Sequence, residues 1–188
     1  MKIGIFGGSF DPVHKGHISL ANKSLKQLKL DYLFFVPAYS VPYKSKKLTA
    51  AFHRKKMLRL AIKGRSKLLI SDFELNLKKK TYTYQTLEHF RKKYRRADVY
   101  LIIGSDSVLD FKNWKKYKNI LSNSKVVFAE RNGYKAKNKK GFIKLQGNIA
   151  DISSTDIRKQ LRKGLSIKGL VPLPVELYIN KNGLYKRD

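Results

Sequence analysis

Cysteine is absent from this chain of 188 residues. The absence excludes disulfide bonds, a thiolate nucleophile and every metal site built on cysteine ligands. Long apolar runs are also missing, since a run such as residues 33–38 is far below the roughly 20 residues that a membrane-spanning helix needs. Residues 1–6 are too short for the apolar part of a signal peptide. We therefore expect a cytoplasmic protein that does not enter a membrane.

Acidic residues are scarce: 13 aspartates and glutamates stand against 42 lysines and arginines, which gives a formal net charge of +29. Such a charge favours acidic partners. The basic residues recur along the whole chain, however, and most are lysines. Specific readers of nucleic acid favour arginine, because its planar fork pairs with phosphate and guanine. We therefore predict that nucleic acid is bound non-specifically at most.

The pattern of apolar residues predicts the fold class. The length fits one domain over residues 1–188, and 42% of the residues are hydrophobic. Short apolar runs typical of buried strands alternate with segments of helical spacing. The runs are residues 2–6, 32–36, 68–70, 99–103 and 126–129. This alternation predicts an α/β fold: a single Rossmann-like, doubly wound parallel sheet with helices on both faces. Glycine, asparagine and lysine in residues 131–140 predict an exposed loop.

A glycine turn joins the first predicted strand to the first predicted helix. The segment reads Gly7-Gly8-Ser9-Phe10-Asp11-Pro12-Val13-His14-Lys15-Gly16-His17. In open parallel sheets, ligands bind at such strand-to-helix connections. The segment matches neither a Walker loop nor a dinucleotide fingerprint. Its glycines still permit close approach of the backbone, and the unpaired amides of a helix start favour an anion.

Two histidines, His14 and His17, stand three residues apart at this helix start. Residues at that spacing share one face of a helix, so both imidazoles can donate to one phosphate group. One alternative is a tight turn with capping or core histidines, and another is a zinc site with Asp11 as a further ligand. We favour the phosphate site, because a pair beside a double glycine is more specific than one histidine. We predict no resident metal ion.

A second candidate anion site contains Ile152, Ser153, Ser154 and Arg158. Either serine would cap a helix start. Capping alone does not explain Arg158, because a cation in the first turn opposes the positive end of the helix dipole. A bound anion removes that conflict, so the segment is typical of a triphosphate site. The alternative is an arginine that extends into solvent.

Three further segments carry candidate ligand contacts. Gly104 and Asp106 follow the fourth predicted strand, where an acidic residue can accept hydrogen bonds from ribose hydroxyls or cap a helix. The single tryptophan, Trp114, lies among lysines and is suited to stack, half exposed, on a flat ring. Thr83 belongs to residues 81–86, whose hydroxyls and amides are able to bind a carboxylate or to cap a helix.

Together these segments resemble the bacterial nicotinate mononucleotide adenylyltransferases, a family of the HxGH nucleotidyltransferase superfamily. Residues 7–17 resemble the family's Gly-Gly-Ser-Phe-Asp-Pro-Val-His-x-Gly-His start, and residues 152–158 resemble its Ile-Ser-Ser-Thr-x-Ile-Arg signature. Residues 81–87 are similar to the family's Ser-Tyr-Thr-x-x-Thr-Leu segment, which is associated with the pyridine ring. Phosphopantetheine adenylyltransferases usually have threonine where His14 stands, so the resemblance favours a pyridine nucleotide.

The resemblance implies a reaction in which ATP and nicotinate mononucleotide give deamido-NAD and pyrophosphate, with Mg²⁺ accompanying ATP. The implied catalytic residues are His14, His17 and Arg158. The implied ATP-binding residues are Gly7, Gly8, Ser9, Phe10, His14, His17, Gly104, Asp106, Ile152, Ser153, Ser154 and Arg158. The implied contacts of the mononucleotide are Lys44, Thr83 and Trp114. The alternatives are nicotinamide mononucleotide or phosphopantetheine as the acceptor, or a basic nucleic-acid-binding protein without the activity.

The chain departs from the family at two places. The family often has Pro-His-Lys after the second strand, where this chain has Pro42-Tyr43-Lys44, so Lys44 alone carries over. Leu77 stands where arginine is usual. Both changes concern contacts with the substrate and leave the two signatures intact.

Overall fold

Six parallel strands form one sheet in the order β3-β2-β1-β4-β5-β6. The computed structural model describes residues 1–40, 48–130, 141–147 and 149–186. The strands are β1 (Lys2–Gly8), β2 (Tyr32–Pro37), β3 (Leu68–Ile70), β4 (Asp98–Gly104), β5 (Lys125–Ala129) and β6 (Phe142–Lys144). This strand order is that of a doubly wound nucleotide-binding sheet.

Helices connect the strands. They are α1 (Lys15–Leu28), α2 (Ala51–Ile62), α3 (Phe73–Leu77), α4 (Thr83–Lys93), α5 (Ser105–Asp110), α6 (Tyr117–Asn123), α7 (Ser154–Arg162) and α8 (Leu173–Lys181). A 3-10 turn, Phe111–Asn113, separates α5 from α6. Within the described residues, every helix is too short or too polar to cross a membrane.

The sheet is buried on both faces, which explains why its strands read as continuous apolar runs. Successive side chains of a strand point to opposite faces. Phe6 and Val127 belong to a buried cluster that includes residues of α1, α2, α7 and α8. Ile5 and Phe128 belong to a second buried cluster that includes residues of α4, α5 and α6. Helices therefore cover both faces, and the predicted α/β fold is confirmed.

The five predicted strands are present, with ends that differ by a residue or two from the predicted ones. Three elements were not predicted: α3, α8 and β6. The edge strand β6 has three residues, and none of them is fully buried, so its sequence carries almost no pattern. The predicted loop at residues 131–140 lies outside the described residues.

The winding direction of the chain reverses beside β1. Phe6 of this strand pairs with Phe35 of β2 on one side and with Ile102 of β4 on the other. The segments that follow β1 and β4 leave the carboxyl edge of the sheet towards different faces. In such sheets a crevice opens at that edge between the two strands, and ligands bind there.

Candidate active site

A cavity of about 480 Å³ opens at the carboxyl ends of β1 and β4. Its walls come from the turn after β1, the start of α1, the connection between α3 and α4, and the segment after β4. The predicted site residues that line it are Gly7, Gly8, Ser9, His17, Thr83, Gly104, Asp106 and Trp114. Segments that are far apart in sequence thus meet where the fold predicts a ligand.

His14 and His17 cap the start of α1 reciprocally. The backbone N–H of His17 donates to Nδ1 of His14 over 3.4 Å, and the backbone N–H of His14 donates to Nδ1 of His17 over 3.3 Å. The two rings stack with their centroids 3.6 Å apart. His14 is buried, whereas His17 is half-buried and reaches the cavity.

This cap determines where the ring protons lie. An Nδ1 atom that accepts a hydrogen bond carries no hydrogen, so the proton of each neutral ring is on Nε2. Capping uses one nitrogen of each ring, and phosphate binding would use the other. Capping and phosphate binding, which the sequence presented as alternatives, are therefore compatible in the same pair of residues.

Gly16 leaves room for the stacked pair. A Cβ atom at this position would lie 3.0 Å from Nδ1 of His14 and 3.4 Å from the carbonyl oxygen of Ala150. From the other side the ring of Phe10 meets His17 edge-on, with centroids 5.0 Å apart. Phe10 has a φ of 49°, and the turn buries its ring in the core. The predicted ATP contact of Phe10 is therefore restricted to its backbone.

Ser153 is the residue that caps α7. Its Oγ accepts hydrogen bonds from the backbone N–H groups of Thr155, at 3.1 Å, and Asp156, at 3.4 Å. Arg158 lies in the second turn of the helix, so the expectation of a cation in the first turn was wrong. Its guanidinium nevertheless extends back to the helix start, where Nη2 donates to Oγ1 of Thr155 over 3.3 Å.

The start of α7 contacts the turn that precedes α1. Oγ of Ser154 donates to the carbonyl oxygen of Pro12 over 2.9 Å, and Nη1 of Arg158 donates to that of Asp11. The structure thus brings the two predicted signatures together through the turn. The other predicted site residues of the described chain do not line the cavity: Phe10, His14, Ile152, Ser153, Ser154 and Arg158.

The segment after β4 presents an exposed carboxylate. Gly104 is the residue before α5, and no side chain caps this short helix. Asp106 therefore does not cap a helix, which was the alternative role predicted for it. Asp106 lies in the first turn of α5, is exposed to solvent and lines the cavity. Its carboxylate oxygens are in a position to accept hydrogen bonds from a ligand.

Trp114 and the start of α4 form another part of the cavity wall. Trp114 is half-buried and packs against Phe111, with ring centroids 5.1 Å apart. Tyr82 precedes α4, and its backbone N–H donates to Oε1 of Gln85 over 3.0 Å. This glutamine, rather than the hydroxyl of Thr83, satisfies the capping requirement. The predicted contact Lys44 lies outside the described residues.

Three charged residues of the cavity were not predicted: Glu74, Asp110 and Lys115. Glu74 of α3 is 8% exposed, and Oγ1 of Thr86 donates to its Oε1 over 2.6 Å. Burial raises the pKa of Glu74, and the hydrogen bond from Thr86 opposes that shift. Lys115 also lines the cavity, and its Nζ lies 4.6 Å from the centroid of the Tyr82 ring. Glu74 belongs to no recognisable motif, and Lys115 cannot be distinguished in the sequence from the many lysines around it, so neither could be predicted.

Among the residues that the structure describes, no group of three or more His, Asp or Glu side chains is placed to hold a metal ion. The zinc alternative also conflicts with the hydrogen bonds. Nδ1 of both histidines accepts a backbone N–H, and Asp11 accepts from Thr49 and Tyr185. These groups are already committed to holding the turn.

Comparison with known proteins identifies the class. The family model for cytidylyltransferase-like proteins matches residues 5–160, so the chain belongs to this class of nucleotidyltransferases. The probable nicotinate-nucleotide adenylyltransferase of Clostridium tetani is 39% identical over 98% of this chain and 99% of its own length. That of Clostridium acetobutylicum is 39% identical over 98% of both chains. Within the class, the chain thus belongs to the nicotinate-nucleotide adenylyltransferases, as its motifs had indicated.

A solved structure shows the same architecture. The nicotinic acid mononucleotide adenylyltransferase of Plasmodium falciparum, in complex with NaAD, superposes with a TM-score of 0.83 at 25% identity. The match covers 98% of this chain and 97% of that one. The similarity therefore includes the whole sheet and the helices on both of its faces.

Replacing Gly16 with alanine should disturb the stacked histidines and lower kcat, with little effect on the stability of the fold. The new Cβ would displace the ring of His14, and such a misplacement costs up to about 100-fold in kcat. The gain in helix propensity, about 1 kcal/mol, should keep the melting temperature close to that of the wild type. Kinetics and thermal melting of Gly16→Ala, with the exposed neighbour variant Lys15→Ala as the control, measure both effects. Equal kcat values for the two variants would contradict the assignment.

Replacing Glu74 with glutamine should stabilise the protein at neutral pH but not at acidic pH. Because the pKa of Glu74 is raised on folding, the wild type loses stability as the pH rises above about 4.3, the usual value for glutamate. Glu74→Gln keeps the acceptor for Thr86 and does not titrate. The difference in free energy of unfolding should grow from about pH 4 to pH 7 in urea titrations. A difference that is independent of pH would refute this cause.

Proposed function

We propose that this chain joins the AMP moiety of ATP to nicotinate mononucleotide, which forms deamido-NAD and releases pyrophosphate. The observation that carries the proposal is that the histidine turn, the end of β4 and Trp114 line one and the same cavity. Such a cavity offers donors for phosphates, an acceptor for ribose and a flat surface for a pyridine ring. The Plasmodium falciparum relative is complexed with NaAD, the same dinucleotide product.

Charge repulsion is the main obstacle to this reaction. Both reactants are anions, and two unit charges 5 Å apart repel by about 3 kcal/mol at an effective dielectric constant of about 20. A phosphate oxygen of the mononucleotide attacks the α-phosphorus of ATP, and pyrophosphate leaves on the opposite side. This reaction requires no covalent nucleophile, so the protein accelerates it by in-line positioning and by donors aimed at the developing charge.

The histidine turn supplies donors to ATP. His17 donates its Nε2–H to the α-phosphate, and His14 adds a second donor from the stacked ring beneath it. Backbone amides of Gly7, Gly8 and Ser9 approach the phosphates closely, because the glycines carry no side chain. Reciprocal capping supports these roles, since it engages Nδ1 of both rings with the backbone and puts the proton of each neutral ring on Nε2.

The remaining ATP contacts belong to the leaving group and the ribose. Arg158 and the start of α7, with Ile152, Ser153 and Ser154, hold the β- and γ-phosphates that leave as pyrophosphate. Their bonds to the Asp11–Pro12 turn support this role, because they keep the guanidinium beside the histidine turn. Asp106 accepts hydrogen bonds from the ribose hydroxyls of ATP, and the backbone of Gly104 lies against the same sugar.

The carboxylate oxygens of the cavity wall are compatible with Mg²⁺ bound together with ATP. The ion prefers oxygen ligands, keeps several waters and commonly binds through substrate phosphates. Asp106 and Asp110 offer carboxylate oxygens on the cavity wall, and the described residues contain no complete set of ligands that would hold the ion without ATP. When bound, Mg²⁺ neutralises phosphate charge.

The mononucleotide occupies the other end of the cavity. The nicotinate ring stacks on Trp114, and its carboxylate meets Thr83 and amides at the start of α4. Lys44 adds a positive charge for the same substrate. The half-buried ring of Trp114 on the cavity wall supports this arrangement.

A single assay separates this function from its alternatives. Release of pyrophosphate from ATP and Mg²⁺ is measured with nicotinate mononucleotide, nicotinamide mononucleotide and phosphopantetheine offered in turn. We expect the highest kcat/KM with nicotinate mononucleotide. A higher value with either other acceptor would change the substrate. No release with any acceptor, together with strongly salt-dependent binding of nucleic acid, would favour the non-enzymatic alternative.

Trp114→Ala should raise the KM for nicotinate mononucleotide and leave the KM for ATP unchanged. Stacking on an aromatic side chain contributes about 1–3 kcal/mol, so the KM should rise by about fivefold to 150-fold. Tyr117→Ala is a matched control, because Tyr117 packs against the same hydrophobic cluster and is not among the residues that line the cavity. An equal KM in the two variants would exclude stacking on Trp114.

A further inference from the structure

A buried arginine holds the histidine turn from behind. Arg54 of α2 is 1% exposed and is the largest fully buried side chain of the described residues. Its Nε donates to the carbonyl oxygen of Thr49 over 2.8 Å, and its Nη1 donates to that of Ser9 over 2.9 Å. Ser9 lines the cavity, and Arg54 does not. The guanidinium therefore fixes the backbone of the turn without facing a ligand.

Asp11 is the buried counterpart of this arginine. It is 3% exposed, and its Oδ2 accepts the backbone N–H of Thr49 over 3.2 Å. Its Oδ1 accepts the hydroxyl of Tyr185 over 2.6 Å. Burial lowers the pKa of Arg54, and the negative charge of Asp11 opposes that shift. Two opposite charges and a tyrosine thus surround the backbone of residues 9–11.

Tyr185 comes from the far end of the chain. Its φ of 65° lies in the left-handed region, which residues other than glycine seldom adopt. Its ring packs against the hydrophobic core. Burial and the charge of Asp11 raise the pKa of Tyr185, so its hydroxyl keeps its proton and remains a donor. The last turn of the chain is therefore bonded to the turn that follows the first strand.

We propose that Arg54 and Tyr185 are positioning residues for ATP, because they set the backbone of Ser9 and the carboxylate of Asp11 without touching a substrate. The inference rests on the proposed function, in which the amides of this turn meet the phosphates. Arg158 donates to the carbonyl oxygen of Asp11, so its guanidinium depends on the same support. Loss of that support should disturb ATP and leave the mononucleotide end of the cavity in place.

The chain offers a matched pair of tyrosines for the test. Tyr178 of α8 also packs on the core, and its hydroxyl lies 2.8 Å from Nδ1 of His53 in α2. This bond ties the end of the chain to α2 as well, but it does not reach the histidine turn. Tyr185→Phe and Tyr178→Phe each remove the hydrogen-bonded hydroxyl of a half-buried tyrosine and keep the ring.

Tyr185→Phe should lower kcat about tenfold and raise the KM for ATP, with the KM for the mononucleotide unchanged, since a hydrogen bond to a charged group contributes at least that factor. Tyr178→Phe should keep all three constants within about twofold of the wild type. Urea denaturation of both variants shows whether their losses of stability are similar. Equal kinetics in the two variants would overturn the proposal.

Two further measurements complete the design. Arg54→Lys keeps the charge, but a point-like ammonium cannot hold both carbonyl groups in the geometry of the planar fork, so the same ATP-specific loss is expected. Calorimetric affinity for ATP with Mg²⁺, without an acceptor, should fall in Tyr185→Phe and not in Tyr178→Phe. If the wild type made no dinucleotide yet showed this difference, the proposed function would fail and the positioning role would stand.

Discussion

The reciprocal cap between His14 and His17 is the interaction on which the candidate site depends. Each Nδ1 accepts a backbone N–H, so the ring planes, the tautomers and the first turn of α1 are determined together. The stack is possible because Gly16 has no side chain, and the buried ring of Phe10 packs edge-on against His17. In the proposed function, the residues that begin the helix are therefore also the donors to phosphate.

Charge acts at two distances in this protein. The net charge of +29 attracts anionic substrates over a range limited by salt, which concerns the rate of encounter rather than the geometry of the complex. Inside the cavity the balance is different, because three carboxyl groups, Glu74, Asp106 and Asp110, accompany the cation Lys115. Neutralisation of the phosphates must then come from local donors with defined directions. In the proposed function, the abundant lysines attract the substrates and the histidine turn orients them.

The fold and much of the site could be predicted because they follow from local patterns. Buried runs identified the strands, and the turn before α1 combines glycine with two histidines in one short segment. Contacts between distant segments have no such pattern. Glu74 meets Thr86 across a turn, and Tyr185 meets Asp11 across almost the whole chain, so neither pairing leaves a periodic signal. The second-turn position of Arg158 likewise depends on where Ser153 begins the helix.

The buried charges of Arg54 and Asp11 hold a turn that its glycines cannot anchor by packing. A turn that lets phosphates approach its backbone must lack side chains there, so Gly7 and Gly8 cannot anchor it by packing. Anchoring then has to come from groups that hold backbone carbonyls and amides directly, as Arg54 and Asp11 do. Removing two charges from water costs free energy, and an apolar pair of similar volume would often be as stable. An apolar pair, however, could not direct a carbonyl group, so the charged pair is explained by the geometry of the turn rather than by stability.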